Sequence, residues 1–141
     1  MKITYWTLVL FLVLQCPDVL AGTIICKDPL LAQRAQRIYN VVCQMFGTCS
    51  ESFNVKLSVI SSKEAKEKFP WYKTFSGTYS IDENIIYLAD GRITDGVLAH
   101  ELAHATITTY AVYSLTSRMQ EILAGYAEFE VRKMNAIGST R

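Results

Sequence analysis

The sequence predicts an α+β domain in which a small three-stranded sheet packs with an N-terminal helix, a central motif-bearing helix and a C-terminal helix. Three observations carry that prediction. Apolar residues recur at mixed three- and four-residue spacing from Leu30 to Met45, the period of a helix with one buried face. They alternate with polar residues from Phe53 to Val59, the period of a half-buried strand. Two short β-prone runs then precede an almost wholly apolar helical stretch, Val97 to Ile107, and a capping signal at Ser117 opens a last helix.

Size and charge set the outer bounds. With 141 residues, 50% hydrophobic and 19% charged, the chain can fill one ordinary globular core. A formal net charge of +1 gives no electrostatic reason to bind nucleic acid or an anionic membrane surface. There is no internal repeat and no low-complexity tract.

Residues 1–21 read as a leader rather than as fold. Lys2 supplies a positive start, Thr7 to Leu14 is apolar after its leading threonine, and Val19-Leu20-Ala21 offers a cleavage site before Gly22. A membrane anchor is the competing reading, but the apolar run falls short of the ~20 residues a spanning helix needs. Cys16 raises lipidation, against which Gln15 is a poor preceding residue. The expectation is an exported protein, periplasmic or secreted, with no stable membrane insertion once the leader is removed. Cys26, Cys43 and Cys49 then remain. Cys43 and Cys49 can close a small disulfide loop, or Cys26 can pair with either, leaving one thiol. They form no close C-x-x-C pair, so a cysteine metal site is not expected.

The domain itself is expected over residues 22–134. Asp28 at an N-cap and Pro29 in the first turn start the first helix. Leu30, Leu31, Arg34, Ile38, Val41, Val42 and Met45 form its stripe, and it ends near Gly47. After the strand Phe53–Val59, Ser61 and Glu64 make a capping box for a short helix, Lys63 to Phe69, which Pro70 stops. Trp71, Tyr72 and Phe75 follow in an aromatic loop, read as packing over the core in preference to lining a cleft. Thr78–Ile81 and Ile85–Leu88 read as a hairpin around Asp82-Glu83-Asn84, its second strand offering an edge that could pair with an extended peptide. Thr94 or Asp95 caps the motif helix, which frays over Thr108 to Tyr113. Ser117 with Gln120 caps a final helix from about Arg118 to Met134, and residues 135–141 read as a disordered tail.

The chemistry lies in His100-Glu101-Leu102-Ala103-His104. Residues four apart on a helix share one face, so both imidazoles point the same way and can take adjacent corners of a tetrahedral Zn²⁺. Glu101 projects beside that position, where a carboxylate can take a proton from an activated water. The chain has two histidines, and both are in this motif. The surrounding apolar residues bury the helix, and three ionisable groups on a buried helix are costly without a common partner. A metal ion supplies one. A catalytic zinc site needs a third protein ligand, and with no third histidine it must be a carboxylate, or less plausibly a cysteine. Glu121, Glu128 and Glu130 are the candidates, Glu121 first because it lies near the start of a helix that can return alongside, and Glu128 second.

His100-Glu-Leu-Ala-His104 followed by Glu121-Ile-Leu-Ala-Gly-Tyr-Ala-Glu128 resembles the gluzincin branch of the zincin-like metallopeptidases. The likeness runs from about Phe53 to Val131 and rests on these two helical motifs. It implies a minimal zincin-like domain with Zn²⁺ on His100, His104 and Glu121, and Glu101 as catalytic base and acid. Ala124 matches the alanine that commonly follows the third ligand. Two features depart from the pattern. Gly125 stands where many members carry an acidic residue that orients a zinc-bound histidine, so that support must come from elsewhere, with Glu128 the candidate. A variant pattern would put an acidic ligand at Ala124, which cannot bind metal. The large second domain of bigger members is absent, implying a cleft that is shallow or completed by a protein partner.

The expected reaction is hydrolysis of a peptide bond in a peptide or protein substrate, through metal-activated water and Glu101. Cleavage of another amide, as in cell-wall peptides, fits the same residues. Tyr110, Tyr113 and Tyr126 lie near the motif, but core packing is the preferred reading and none is assigned to oxyanion stabilisation. The alternative from another class is a non-catalytic exported module in which zinc only holds two helices together. Glu101 discriminates, because a purely structural site has no use for it.

Overall fold

A computed structural model describes residues 22–111 and 115–139; the expected leader with Cys16, Tyr113 and the last two residues of the expected tail lie outside them. The described elements are β1 (Thr23–Ile25), α1 (Pro29–Phe46), β2 (Asn54–Ile60), α2 (Ser62–Lys68), β3 (Gly77–Ser80), β4 (Ile85–Ala89), α3 (Asp95–Tyr110) and α4 (Ser117–Gly138). The α+β class holds. The sheet has four strands rather than three, in the order β1–β2–β4–β3. β1 pairs with β2 in parallel, β2 with β4 in parallel, and β3 with β4 antiparallel. Thr23–Ile25 is too short to show a period, and it becomes a strand because β2 offers it an edge.

That order corrects the expected open edge. β4 lies inside the sheet, hydrogen-bonded on both sides, and the hairpin's free edge belongs to β3. Parallel pairing of β2 with β4 buries Ile86, Tyr87, Leu88 and Ala89. Such a strand reads as a continuous apolar run because both its faces are covered. Val55 and Leu57 are buried on one face with Ile86 and Leu88, whereas Val59, on the same alternation, emerges at 43% exposure. Ile60 turns to the opposite face and packs with Ala65, Phe69 and Tyr87 under α2.

The helices begin where their caps place them. Asp28 Oδ1 accepts from the backbone N–H groups of Leu30 and Leu31 at 2.9 and 3.3 Å. Gly47 ends α1 in the left-handed region at φ 65°, a conformation costly for residues with a Cβ. The buried face of α1 is turned from the expected stripe. Leu31, Ala35, Ile38, Tyr39, Val42 and Cys43 point inward while Leu30 is exposed. Tyr39 stacks on Phe53 with ring centroids 4.1 Å apart, and that contact sets the rotation. The Ser61–Glu64 capping box is present at α2. Thr94 caps α3 by accepting from Val97 N–H. Thr116, not Ser117, caps α4, accepting from Met119 N–H, and the helix runs past Met134 to Gly138. The helix replaces the start of the expected tail because Asn135 Nδ2 donates to Asp95 Oδ2 at 2.6 Å, tying the end of α4 to the start of α3.

Cys43 and Cys49 form a disulfide, and Cys26 is a free, half-buried thiol. The core lies between the sheet and a layer of α1, α3 and α4. No helix among the described residues is long and apolar enough to cross a membrane.

Candidate metal centre

α3 and α4 run antiparallel against one another, and contacts down the pair fix their register. Glu121 meets His104 and His100, Glu128 meets His100, and Asn135 meets Asp95. A helix advances one turn every 3.6 residues, so His100 and His104 face α4 together while Glu121 and Glu128, two turns apart, face back. The core alanines between the helices, Ala99, Ala103, Ala124 and Ala127, are all fully buried, and side chains this small let the two backbones approach closely.

Within that register the three expected ligands converge. His100 Nε2 lies 3.2 Å from His104 Nε2 and 3.4 Å from Glu121 Oε2, and His104 Nε2 lies 3.3 Å from Glu121 Oε1. Ligand atoms of all three residues fall within 4.8 Å of one another. These separations can be compared with a metal's needs. Two ligands about 2.0–2.1 Å from a tetrahedral Zn²⁺ sit about 3.3 Å apart. The three contacts have about the ligand–ligand spacing of a zinc site; the two imidazoles meet different oxygens of Glu121, and one ligand atom from each residue lies within 4.8 Å of the others, so the cluster can hold an ion.

His100 is engaged on both nitrogens, because its Nδ1 lies 3.2 Å from Glu128 Oε2. Glu128 therefore meets the other nitrogen of His100, a contact that Gly125 cannot make, and is not one of the three residues whose ligand atoms converge. Glu130 is outside that cluster too, and its carboxylate lies by Lys133. Burial of His104 and the neighbouring His100 hold the His104 imidazole below its ordinary pKa, which keeps it neutral and able to donate a lone pair.

Glu101 is 7% exposed and accepts a hydrogen bond from the backbone N–H of Tyr79 on β3. Burial pushes its carboxyl up to about 8, with the negative charges of Glu121 and Glu128 adding to the effect and the Tyr79 N–H opposing it. Gly77 makes this approach of helix to strand possible: a Cβ there would lie 3.0 Å from Val97 Cγ1 and 3.1 Å from Glu101 Cγ.

The ligands and Glu101 open onto a cleft of about 350 Å³, walled by β3 on one side and the start of α4 on the other. A second arm of about 280 Å³ shares Tyr72, Gly77, His100 and Glu101 and reaches Arg132. The aromatic loop divides between its two expected roles. Phe75 stacks on Phe69 at 5.0 Å, whereas Tyr72 lines the cleft with its hydroxyl 3.3 Å from Thr78 Oγ1. Tyr110 lies over Phe53 in the core and Tyr126 is exposed; neither lines the cleft. Sequence reasoning missed Gly77 and Arg132, and ranked cleft lining by Tyr72 second to core packing. Only Arg132 carried a local signal, its four-residue spacing from Glu128.

Comparison of the chain with protein-family models, with curated proteins and with solved structures gives no match in any of the three. The functional reading therefore stands on this chain's own residues.

Proposed function

We propose that the chain is a zinc-dependent hydrolase of peptide bonds, a minimal zincin-like domain of the gluzincin type. The observation that carries the reading is the convergence of His100, His104 and Glu121, whose imidazole Nε2 atoms lie 3.2 Å apart and 3.4 and 3.3 Å from Glu121 Oε2 and Oε1 respectively. When bound there, zinc supplies Lewis acidity that polarises a carbonyl oxygen and acidifies water. Glu101, on the same turn as His100, takes the proton from the attacking water and returns it to the leaving amine. Its buried position and its bond from Tyr79 N–H keep the carboxylate aimed into the cleft.

The β3 edge supports a peptide as substrate. Ala89 N–H donates to Ser76 O, so the antiparallel ladder bonds alternate residues and turns the backbone groups of Gly77 and Tyr79 toward the outer edge, where the Tyr79 N–H is already donated to Glu101. An extended peptide paired along the rest of that edge would lie beside Glu101. Both phenols lining the cleft are engaged: Tyr79 donates to Asn84 Oδ1, and Tyr72 shares a hydrogen bond with Thr78 Oγ1, in which it can be the acceptor and keep its own proton for a developing oxyanion. The Cys43–Cys49 disulfide supports an oxidising, exported setting.

Zinc content of the purified chain tests the reading. We expect about one zinc per chain, lost or weakened in Glu121→Ala. Glu101→Gln should keep the zinc and lose hydrolysis of a peptide library by roughly 10²-fold or more, the scale of a general base. Zinc retained in full by Glu121→Ala removes that residue from the site. Zinc bound without hydrolysis by wild type leaves the metal-held module. No zinc in either protein ends the proposal.

A further inference from the structure

Beyond the three converging residues a chain of contacts joins α3 and α4. Glu128 Oε2 faces His100 Nδ1 at 3.2 Å, and Glu128 Oε1 takes Nη2 of Arg132 in an ion pair. Arg132 lies across α3 at Gly96, where a Cβ would sit 2.5 Å from its Nε and 3.3 Å from its Cγ. Any larger residue at position 96 would push the guanidinium away. Gly96 is buried inside the first turn of the helix, where glycine lowers helix stability and has no φ requirement to satisfy. The notch it leaves is filled by Arg132.

The geometry points to Arg132 as a positioning residue for His100, acting through Glu128 from the notch at Gly96. The role bears on metal binding only through the reading proposed above. An imidazole that donates Nδ1–H to a carboxylate carries its lone pair on Nε2, the nitrogen that faces His104 and Glu121. Glu128 can hold that proton in place only while its own side chain is held. Arg132 holds one carboxylate oxygen and leaves the other to His100. It also restrains Glu128 from swinging toward the cation in competition with Glu121. Arg132 thus fixes both the tautomer of one ligand and the identity of another.

Because the chain has two histidines, their ring nitrogens can be followed individually by ¹⁵N NMR in the metal-free protein. Wild type should show His100 as the Nδ1–H tautomer. Glu128→Ala and Arg132→Ala should move it toward Nε2–H, with circular dichroism unchanged, and Arg132→Lys should recover part of the shift. Gly96→Ala should act like Arg132→Ala, and should add nothing in the Arg132→Ala background. Competition with a chelator should show zinc held roughly 10- to 100-fold more weakly by Glu128→Ala, with Arg132→Ala in the same direction. A His100 tautomer unmoved in folded Arg132→Ala overturns the inference, and so does full additivity of Gly96→Ala with Arg132→Ala. If the tautomer responds as stated but wild type takes up no zinc, the positioning role stands and the metal reading falls.

Discussion

Glu101 is a carboxylate buried beside the cluster of His100, His104 and Glu121, and its titration follows from that placement. In the metal-free protein its carboxyl is pushed up to about 8 by burial, against 4.5 in an unstructured chain. Between those values the folded state holds the proton more tightly than the unfolded state does. Stability therefore falls as pH rises from 4.5 toward about 8 and becomes level beyond, as far as this group is concerned. Glu101→Gln has no proton to lose. Metal-free wild type and variant should differ least in melting temperature at about pH 4, and the variant should gain on wild type toward pH 8. Thermal unfolding at the two pH values checks it, and a constant difference would refute the linkage. Added zinc should narrow the gap, because a nearby cation favours the ionised carboxylate. His100, Glu101 and His104 were legible in the sequence because their geometry is set within one helical turn. Glu121 ranked first of three glutamates on the last helix by its place near the helix start, and the resemblance pointed to the same residue. Gly96 and Arg132 were not legible together. Their meeting depends on the rotation of α3 against α4, which no local pattern encodes.

At the scale of elements the decisive contact is between α3 and β3. The helix that carries the motif and the strand that walls the cleft touch at Gly77, with Leu88 Cδ2 as a third neighbour 3.3 Å from a Cβ placed there. Gly77→Ala should cost about 1–3 kcal/mol, the usual range for overpacking, because β3, Val97 and Glu101 must all give way. Urea unfolding would measure the loss. An unchanged midpoint would mean that the strand shifts freely. The sequence reading found the hairpin because Asp82-Glu83-Asn84 and its flanks are local signals. It misassigned the open edge because a two-residue period says which face is buried and nothing about which neighbour lies beside the strand. The same limit applied to α1, where Tyr39 on Phe53 turned the helix away from the stripe that included Leu30.

Over the whole molecule, the three-residue β1 and the Cys43–Cys49 bridge secure the chain on either side of α1. β1 could not be read from three residues, and the pairing stayed open because spacing alone allows either partner for each cysteine. A loop this short, spanning 6 positions, is worth about 2 kcal/mol by restricting the unfolded chain. Replacing both cysteines with alanine should lower unfolding free energy by that amount and leave zinc stoichiometry unchanged, as denaturant titration and metal analysis would show. His100 and His104 are 23% and 15% exposed, whereas the Glu121 side chain is 64% exposed. On the proposed reading two anchors are sheltered and the third stands in solvent, so an incoming chelator can displace the carboxylate before either imidazole lets go. Metal turnover would then proceed by associative exchange through the Glu121 side. Its rate would rise with chelator concentration, whatever the equilibrium affinity.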